Sequence, residues 1–162
     1  MLVVSDTSPL SNLAIIRRLE LVRAQLGVVV IPPAVQAELG RNPRPHARAA
    51  LQAAMQAGWI RVIPLAGPVR SDLVLALDVG EAEALSLALQ EKAALVLLDE
   101  SAARMRGAQL GIAFTGVLGI LRRARQTGRI PSLKTAIRCL RDEARFFISP
   151  ALEKALLISV GE

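Results

Sequence analysis

Residues 2–10 read Leu2-Val3-Val4-Ser5-Asp6-Thr7-Ser8-Pro9-Leu10. A short apolar run rich in Val, ended by a polar cluster, predicts a strand covered on both faces. The pattern recurs downstream at Val28–Ile31, Ile60–Ile63, Leu95–Leu98 and Ile112–Thr115. Each run is nearly all apolar, as in a parallel sheet sandwiched by helices. Helical stretches lie between them: Ser11–Leu26, Pro33–Leu39, Pro45–Ala57, Gly80–Lys92, Glu100–Leu110, Gly116–Thr127, Ser132–Arg145 and Pro150 to about Ile158. Proline opens some of these and glycine closes several. Ser149 stands as N-cap before Pro150. The segment Ala66–Asp72 reads as a loop. Strands alternating with helices give an α/β class, a three-layer α/β/α fold with a central parallel sheet of about five strands.

The chain has 162 residues, 52% of them hydrophobic, enough for one domain with a real core. The expectation is one domain over residues 1–162, with an Arg-rich helical appendage from about residue 116. Its formal charge is +6, from 17 Arg and 3 Lys against 14 acids. That charge is unevenly placed. Residues 1–100 hold 9 bases and 10 acids, residues 101–145 hold 10 bases and 2 acids, and the remainder is net −1. Arg-rich excess of this kind suits a phosphate-bearing partner, although any single Arg can simply be a solvated helix face. The aromatic residues are Trp59, Phe114, Phe146 and Phe147, with no Tyr. This argues against modules that stack bases on aromatic platforms. One cysteine, Cys139, excludes an internal disulfide and a Cys-based zinc cluster, and fits a reducing cytoplasm. The single histidine, His46, sits in a loop-like run after Asn42 and is read as a surface residue. No apolar run is long enough to span a membrane, and the first residues do not have the pattern of a signal peptide.

Ligands of open parallel sheets bind outside the carboxyl ends of the strands. Asp6 directly follows the first strand, and Asp99, with Glu100 beside it, follows the fourth. If those strands are neighbours, both acids face one crevice. Glu81, in the first turn of the preceding helix, and Glu38, late in the helix after the second strand, can join them. Four like charges held close require a counter-charge, and a hard divalent cation such as Mg²⁺ or Mn²⁺ is the natural one. Each acid also has a plainer reading. Asp78 and Glu81 fit a capping box. Glu38 fits the polar face of a short helix, and Glu83 a solvated position. Thr7 and Ser8 are either turn residues or hydroxyls that hold Asp6 or a water. Asp6 and Asp99 have the weakest alternative, because strand ends need no acids. Arg104 and Arg106 follow Asp99 closely enough to reach phosphates near it, to neutralise the acids, or to point to water.

Ser5-Asp6-Thr7-Ser8-Pro9-Leu10, Ile31-Pro32-Pro33-Ala34-Val35 leading to Glu38-Leu39, and Gly80-Glu81-Ala82-Glu83-Ala84 with Leu98-Asp99-Glu100 downstream together resemble the PIN-domain superfamily. The nearest branch is one long labelled a domain of unknown function, similar to VapC-type toxins. The likeness runs from residue 2 to about 130, and less clearly to the end. It implies a metal-dependent endoribonuclease that hydrolyses RNA and leaves 5′-phosphates. It also implies catalytic acids Asp6, Glu38, Glu81 and Asp99, with the cation on Asp6, Glu81 and Asp99 and Thr7 or Ser8 as the accompanying hydroxyl; Glu100, beside Asp99, is a further supporting candidate by position. A cytoplasmic homodimer blocked by a cognate antitoxin protein is implied as well. RNA would lie along the Arg-rich region, with Arg104, Arg106, Arg122 and Arg123 as candidate contacts. Two departures from the family pattern stand out. The third acid, often Asp in VapC-type toxins, is Glu81 here. The branch's Gly-Thr-Leu-Gly run reads Gly116-Val117-Leu118-Gly119, with Thr115 two residues earlier. Competing readings are a non-catalytic PIN-fold module that binds RNA or protein, and a receiver-like signalling domain or small-molecule α/β binder. The receiver reading is weakened because Asp6 stands alone after its strand and no Lys follows the fifth.

Overall fold

The computed structural model describes residues 1–162. In chain order the elements are β1 (Val3–Ser5), α1 (Thr7–Ile15), α2 (Glu20–Leu26), β2 (Val29–Ile31), α3 (Pro33–Gly40), α4 (Pro45–Gln56), β3 (Ile60–Val62) and α5 (Ser71–Ala76). They continue with α6 (Val79–Gln90), β4 (Leu95–Leu97), α7 (Ser101–Gln109), β5 (Phe114–Thr115), α8 (Val117–Gln126), α9 (Leu133–Glu143) and α10 (Pro150–Ser159). The five strands form one sheet in the order β3-β2-β1-β4-β5, and every pairing is parallel.

The period of two along each strand builds the three layers. Val3, Val29, Ile31, Ile60 and Leu97 fall in one core cluster with residues of α1–α4, α8 and α9. Val4, Val30, Val96 and Leu98 fall in the other, with Leu73 of α5, Leu85 of α6 and Ala103 of α7. Strands clothed on both faces have no use for alternating polarity, which is why the five runs were legible. Val117, Ile120, Leu121 and Ala124 of α8 are buried in the first cluster, so the Arg-rich helices share the core of the sheet.

Three local readings need correction. The stretch Ser11–Leu26 is two helices, because Arg17 takes a left-handed φ of 60° and breaks it, and α1 already begins at Thr7. A non-glycine residue there gives no sequence signal. The Ala66–Asp72 loop ends in α5, whose first turn holds Asp72. His46 is in the first turn of α4 and half-buried, and its Nε2 lies 2.9 Å from the Ile15 carbonyl oxygen, tying α4 to α1. The Ser149 cap is present: its Oγ accepts from the Leu152 N–H at 3.2 Å.

Candidate active site

The sheet order places the chemistry. From β1 the chain winds outward through β2 and β3, then returns to the other side of β1 with β4 and β5. The winding sense therefore reverses between β1 and β4, and a crevice opens there at the carboxyl ends. Ser5 pairs with Leu97, and the Asp6 N–H donates to the Leu97 carbonyl at 3.0 Å. Asp6 and Asp99 thus leave neighbouring strands at this reversal.

Asp6 is only 3% exposed. Burial, reinforced by Glu81, Asp78 and Glu38, pushes its carboxyl up to about 7, against the opposing pull of the Thr7 N–H. Glu81 lies at the third position of α6 and forms a complete capping box. Its N–H donates to Asp78 Oδ1 at 2.9 Å, and its Oε2 accepts from the Asp78 N–H at 3.3 Å. The capping role is therefore real and occupies one Glu81 oxygen. Burial, then the charges of Asp78, Glu100 and Glu38, raise the Glu81 carboxyl above its ordinary value. Glu38 comes from α3, which packs on α6. The Thr7 hydroxyl donates to Glu38 Oε2, and the Glu38 carboxylate lies over Gly80. A Cβ at Gly80 would stand 2.6 Å from Oε1 and 2.8 Å from Oε2, so a side chain there would displace the carboxylate. Ser8 is half-buried and makes no side-chain hydrogen bond.

Asp99 sits on the other side of the crevice. Its Oδ1 accepts from the Val117 N–H at 2.9 Å, the first amide of α8. Its Oδ2 is buried and has no hydrogen-bond partner. Burial raises the carboxyl to about 6, with Glu100 adding to the rise and the Val117 N–H, Arg104 and Asn12 opposing it. Arg104 is fixed by Nε donating to the Leu98 carbonyl at 2.8 Å and by its guanidinium lying 5.3 Å from the Phe114 ring centroid. Of the four arginines singled out in the sequence, Arg104 alone is placed against an acid. Arg106 reaches Gln109, Arg122 donates to Ser159 Oγ at 3.1 Å, and Arg123 is exposed on α8.

The structure thus gathers Asp6, Glu38 and Glu81 with Asp78 on one side, and Asp99 with Glu100 and Arg104 on the other. No three acids converge closely enough to form a ready-made ion cage. Their chemistry nonetheless fits a hard divalent cation: every donor is a carboxylate oxygen, the acids raise one another, and one buried Asp99 oxygen is unpartnered.

Two residues were misread or missed. Glu83 is not merely solvated, because its Oε2 accepts from the Ala34 N–H at 2.9 Å and satisfies the start of α3, the helix that carries Glu38. Asn12 stands beside Asp99 from α1, a placement set by how α1 docks near the end of β4. Thr115 lines the groove beside Asp99 and Gly116, with its hydroxyl close to Gly119 of α8.

A comparison with curated proteins returns no match. A family model described as PIN domain matches residues 2–162. With that coverage, and with a five-stranded parallel sheet between two helical layers, the chain belongs to the PIN-domain family.

Proposed function

We propose that this protein is a Mg²⁺- or Mn²⁺-dependent endoribonuclease that hydrolyses RNA phosphodiester bonds, and that it is the toxin of a toxin–antitoxin pair. The observation that carries the reading is Asp6: a carboxylate 3% exposed, at the winding reversal, raised by the neighbouring acids Glu81, Asp78 and Glu38. PIN-family membership supports a nuclease-type fold and nucleic-acid binding.

In this reading Asp6, Glu81 and Asp99 hold the cation, with Glu38 acting directly or through water and Thr7 fixing Glu38. When bound, a divalent cation supplies Lewis acidity, lowering the pKa of a water and stabilising charge on the phosphate. The chain's own groups position the substrate. Arg104, anchored by Leu98 and Phe114, brings positive charge beside Asp99, where a phosphate oxygen would lie. Glu100 supports the site electrostatically. The basic surface of residues 101–145, including Arg106, Arg122 and Arg123, holds the RNA backbone, so affinity falls as salt rises. The whole chain acts as one unit, in the cytoplasm, as a homodimer restrained by an antitoxin protein.

The test is cleavage of single-stranded RNA with Mg²⁺ or Mn²⁺ and with EDTA, in wild type and in Asp6→Ala and Asp99→Ala. Cutting only with metal, lost in both variants, is expected. Metal-dependent cutting that survives both substitutions overturns the site, and growth arrest on expression checks the toxin role. The capping box favours a second reading, a PIN fold that binds RNA without cutting it, because one Glu81 oxygen is already engaged. That reading gives RNA binding with no cleavage and no rise in melting temperature with metal.

Gly80→Ala tests the role of Glu38 without removing an acid. The nearest atoms to the added methyl are those of the flexible end of Glu38, so folding stability should stay within about 1 kcal/mol of wild type. Displacing Glu38 should nevertheless reduce metal-dependent cleavage by about tenfold or more, the scale of losing a group that supports a metal ligand. Turnover equal to wild type would remove Glu38 from the site.

A further inference from the structure

The chain has four aromatic residues, and three of them meet in one place. A groove of about 480 Å³ opens directly from Asp99 and is lined by Arg104, Phe114, Gly116, Phe146 and Phe147, among others. Phe146 is half-buried against the core, and Phe114 carries the Arg104 guanidinium on its face. Phe147 is 85% exposed. An apolar ring left in water beside a charged crevice gains nothing for folding.

The backbone holds it there. Arg145 adopts a left-handed φ of 53° just past the end of α9, and the Phe146 N–H returns to the Leu140 carbonyl at 3.0 Å. This is the closing geometry usually given to glycine, so the turn that presents Phe147 is built against the local preference. Beyond it, Pro150 and the Ser149 cap start α10, whose Leu152 and Leu156 form the far wall.

We infer that this groove is a base subsite, in which an unpaired nucleobase next to the phosphate at the acids stacks on Phe147. Three features select that occupant. The groove shares Asp99 and Arg104 with the phosphate position, so whatever fills it is continuous with the strand being held. An exposed ring offers a face to any base, and stacking of this kind tolerates sequence. The surrounding region carries the chain's excess of arginine, which suits a polyanion. The scarcity of aromatics in the sequence argued against base stacking, but the fold concentrates the few there are at the edge of the crevice.

This inference rests on the nuclease reading, and its test keeps the two apart. Fluorescence anisotropy with Mg²⁺ compares a single-stranded 12-nucleotide oligoadenylate with an abasic strand of equal length, at about micromolar protein as a typical starting range. The protein carries Asp6→Asn so that the strand is not cut. The base-bearing strand should bind about tenfold tighter. Adding Phe147→Ala should bring it to the abasic level while leaving abasic binding unchanged, and Phe147→Trp should keep the preference. Because Phe147 is exposed, these variants leave the core intact. Equal affinity for both strands, with wild type still cleaving RNA, overturns the subsite alone. Failure to bind either strand, with no cleavage by wild type, overturns the nuclease reading and the subsite with it. A concentration-dependent dimer lost in Phe147→Ala assigns the groove to a second copy and overturns the subsite.

Discussion

In EDTA at pH 8, the Asp6→Asn protein is expected to melt several degrees above wild type; with Mg²⁺ it is expected to lose at least about 10²-fold in cleavage, the scale of removing a central electrostatic group. The stability gain follows from linkage. The Asp6 carboxyl titrates near 7 in the folded protein and near 3.8 when free of it. Between those values the folded state holds a proton that the unfolded state has released. The contribution of Asp6 is therefore fully present below about 3.8 and is lost as pH rises through 7. At pH 8 the ionised group destabilises the fold by up to about 4 kcal/mol, an upper bound that relaxation will reduce. Asparagine keeps the shape without the charge. At 162 residues, each kcal/mol is about 2–4 °C in melting temperature. Asp99→Asn should act in the same direction, more weakly, its window closing near pH 6. Adding Mg²⁺ at pH 8 should raise the melting temperature of wild type and raise that of Asp6→Asn less. Differential scanning fluorimetry at pH 4 and pH 8 reads all of this. An Asp6→Asn protein less stable than wild type at pH 8 without metal would mean that the carboxylate is already neutralised by the fold.

Gly116→Ala should be the most damaging single-methyl change in the crevice. A Cβ there would lie 2.8 Å from the Leu98 carbonyl oxygen and closer still to Asp99 Oδ1 and Arg104 Nη2. The carbonyl belongs to the backbone beside β4 and cannot swing away, and it also receives the Arg104 Nε bond. The bond from Val117 N–H to Asp99 Oδ1 crosses the same space. Relief requires the start of α8 to move from the sheet, at about 2–4 kcal/mol, the upper range for overpacking. Urea unfolding should show a lower midpoint at unchanged slope, and cleavage should fall with it because Asp99 and Arg104 are both displaced. A wild-type midpoint would show that the α8 start is not clamped on Asp99. Gly80→Ala is the contrast, since the nearest atoms to the methyl there are the end of a side chain.

These contrasts mark what the sequence made legible. The five strands could be read because strands buried on both faces need apolar residues throughout, a purely local requirement. Asp6 and Asp99 stood out because nothing local to a buried strand calls for an acid at its end, although Asp99 also receives the first amide of α8. The capping box at Asp78 and Glu81 could be read from spacing, although spacing alone did not say whether it excluded a second role. Partnerships across the fold were out of reach. Glu83 satisfying α3, Thr7 donating to Glu38 and Asn12 facing Asp99 depend on how distant elements dock. The break at Arg17 was hidden for a different reason, since a left-handed arginine leaves no mark that glycine would. The six-residue α5 is too short to show a period. The convergence of the three phenylalanines is likewise a product of topology, as they come from β5 and from the turn after α9.

The parallel pairing of β1 with β4 also has a kinetic consequence. Val4 and Val96 lie opposite each other in this pairing and are separated in sequence by more than half the chain. Local helices and the β1–β2 pairing close shorter loops and can form earlier, whereas this contact must await a long loop closure. Asp6 and Asp99 are brought together only by that contact. The crevice is therefore among the last parts of the molecule to assemble, and a partly folded chain, however helical, has no paired acids.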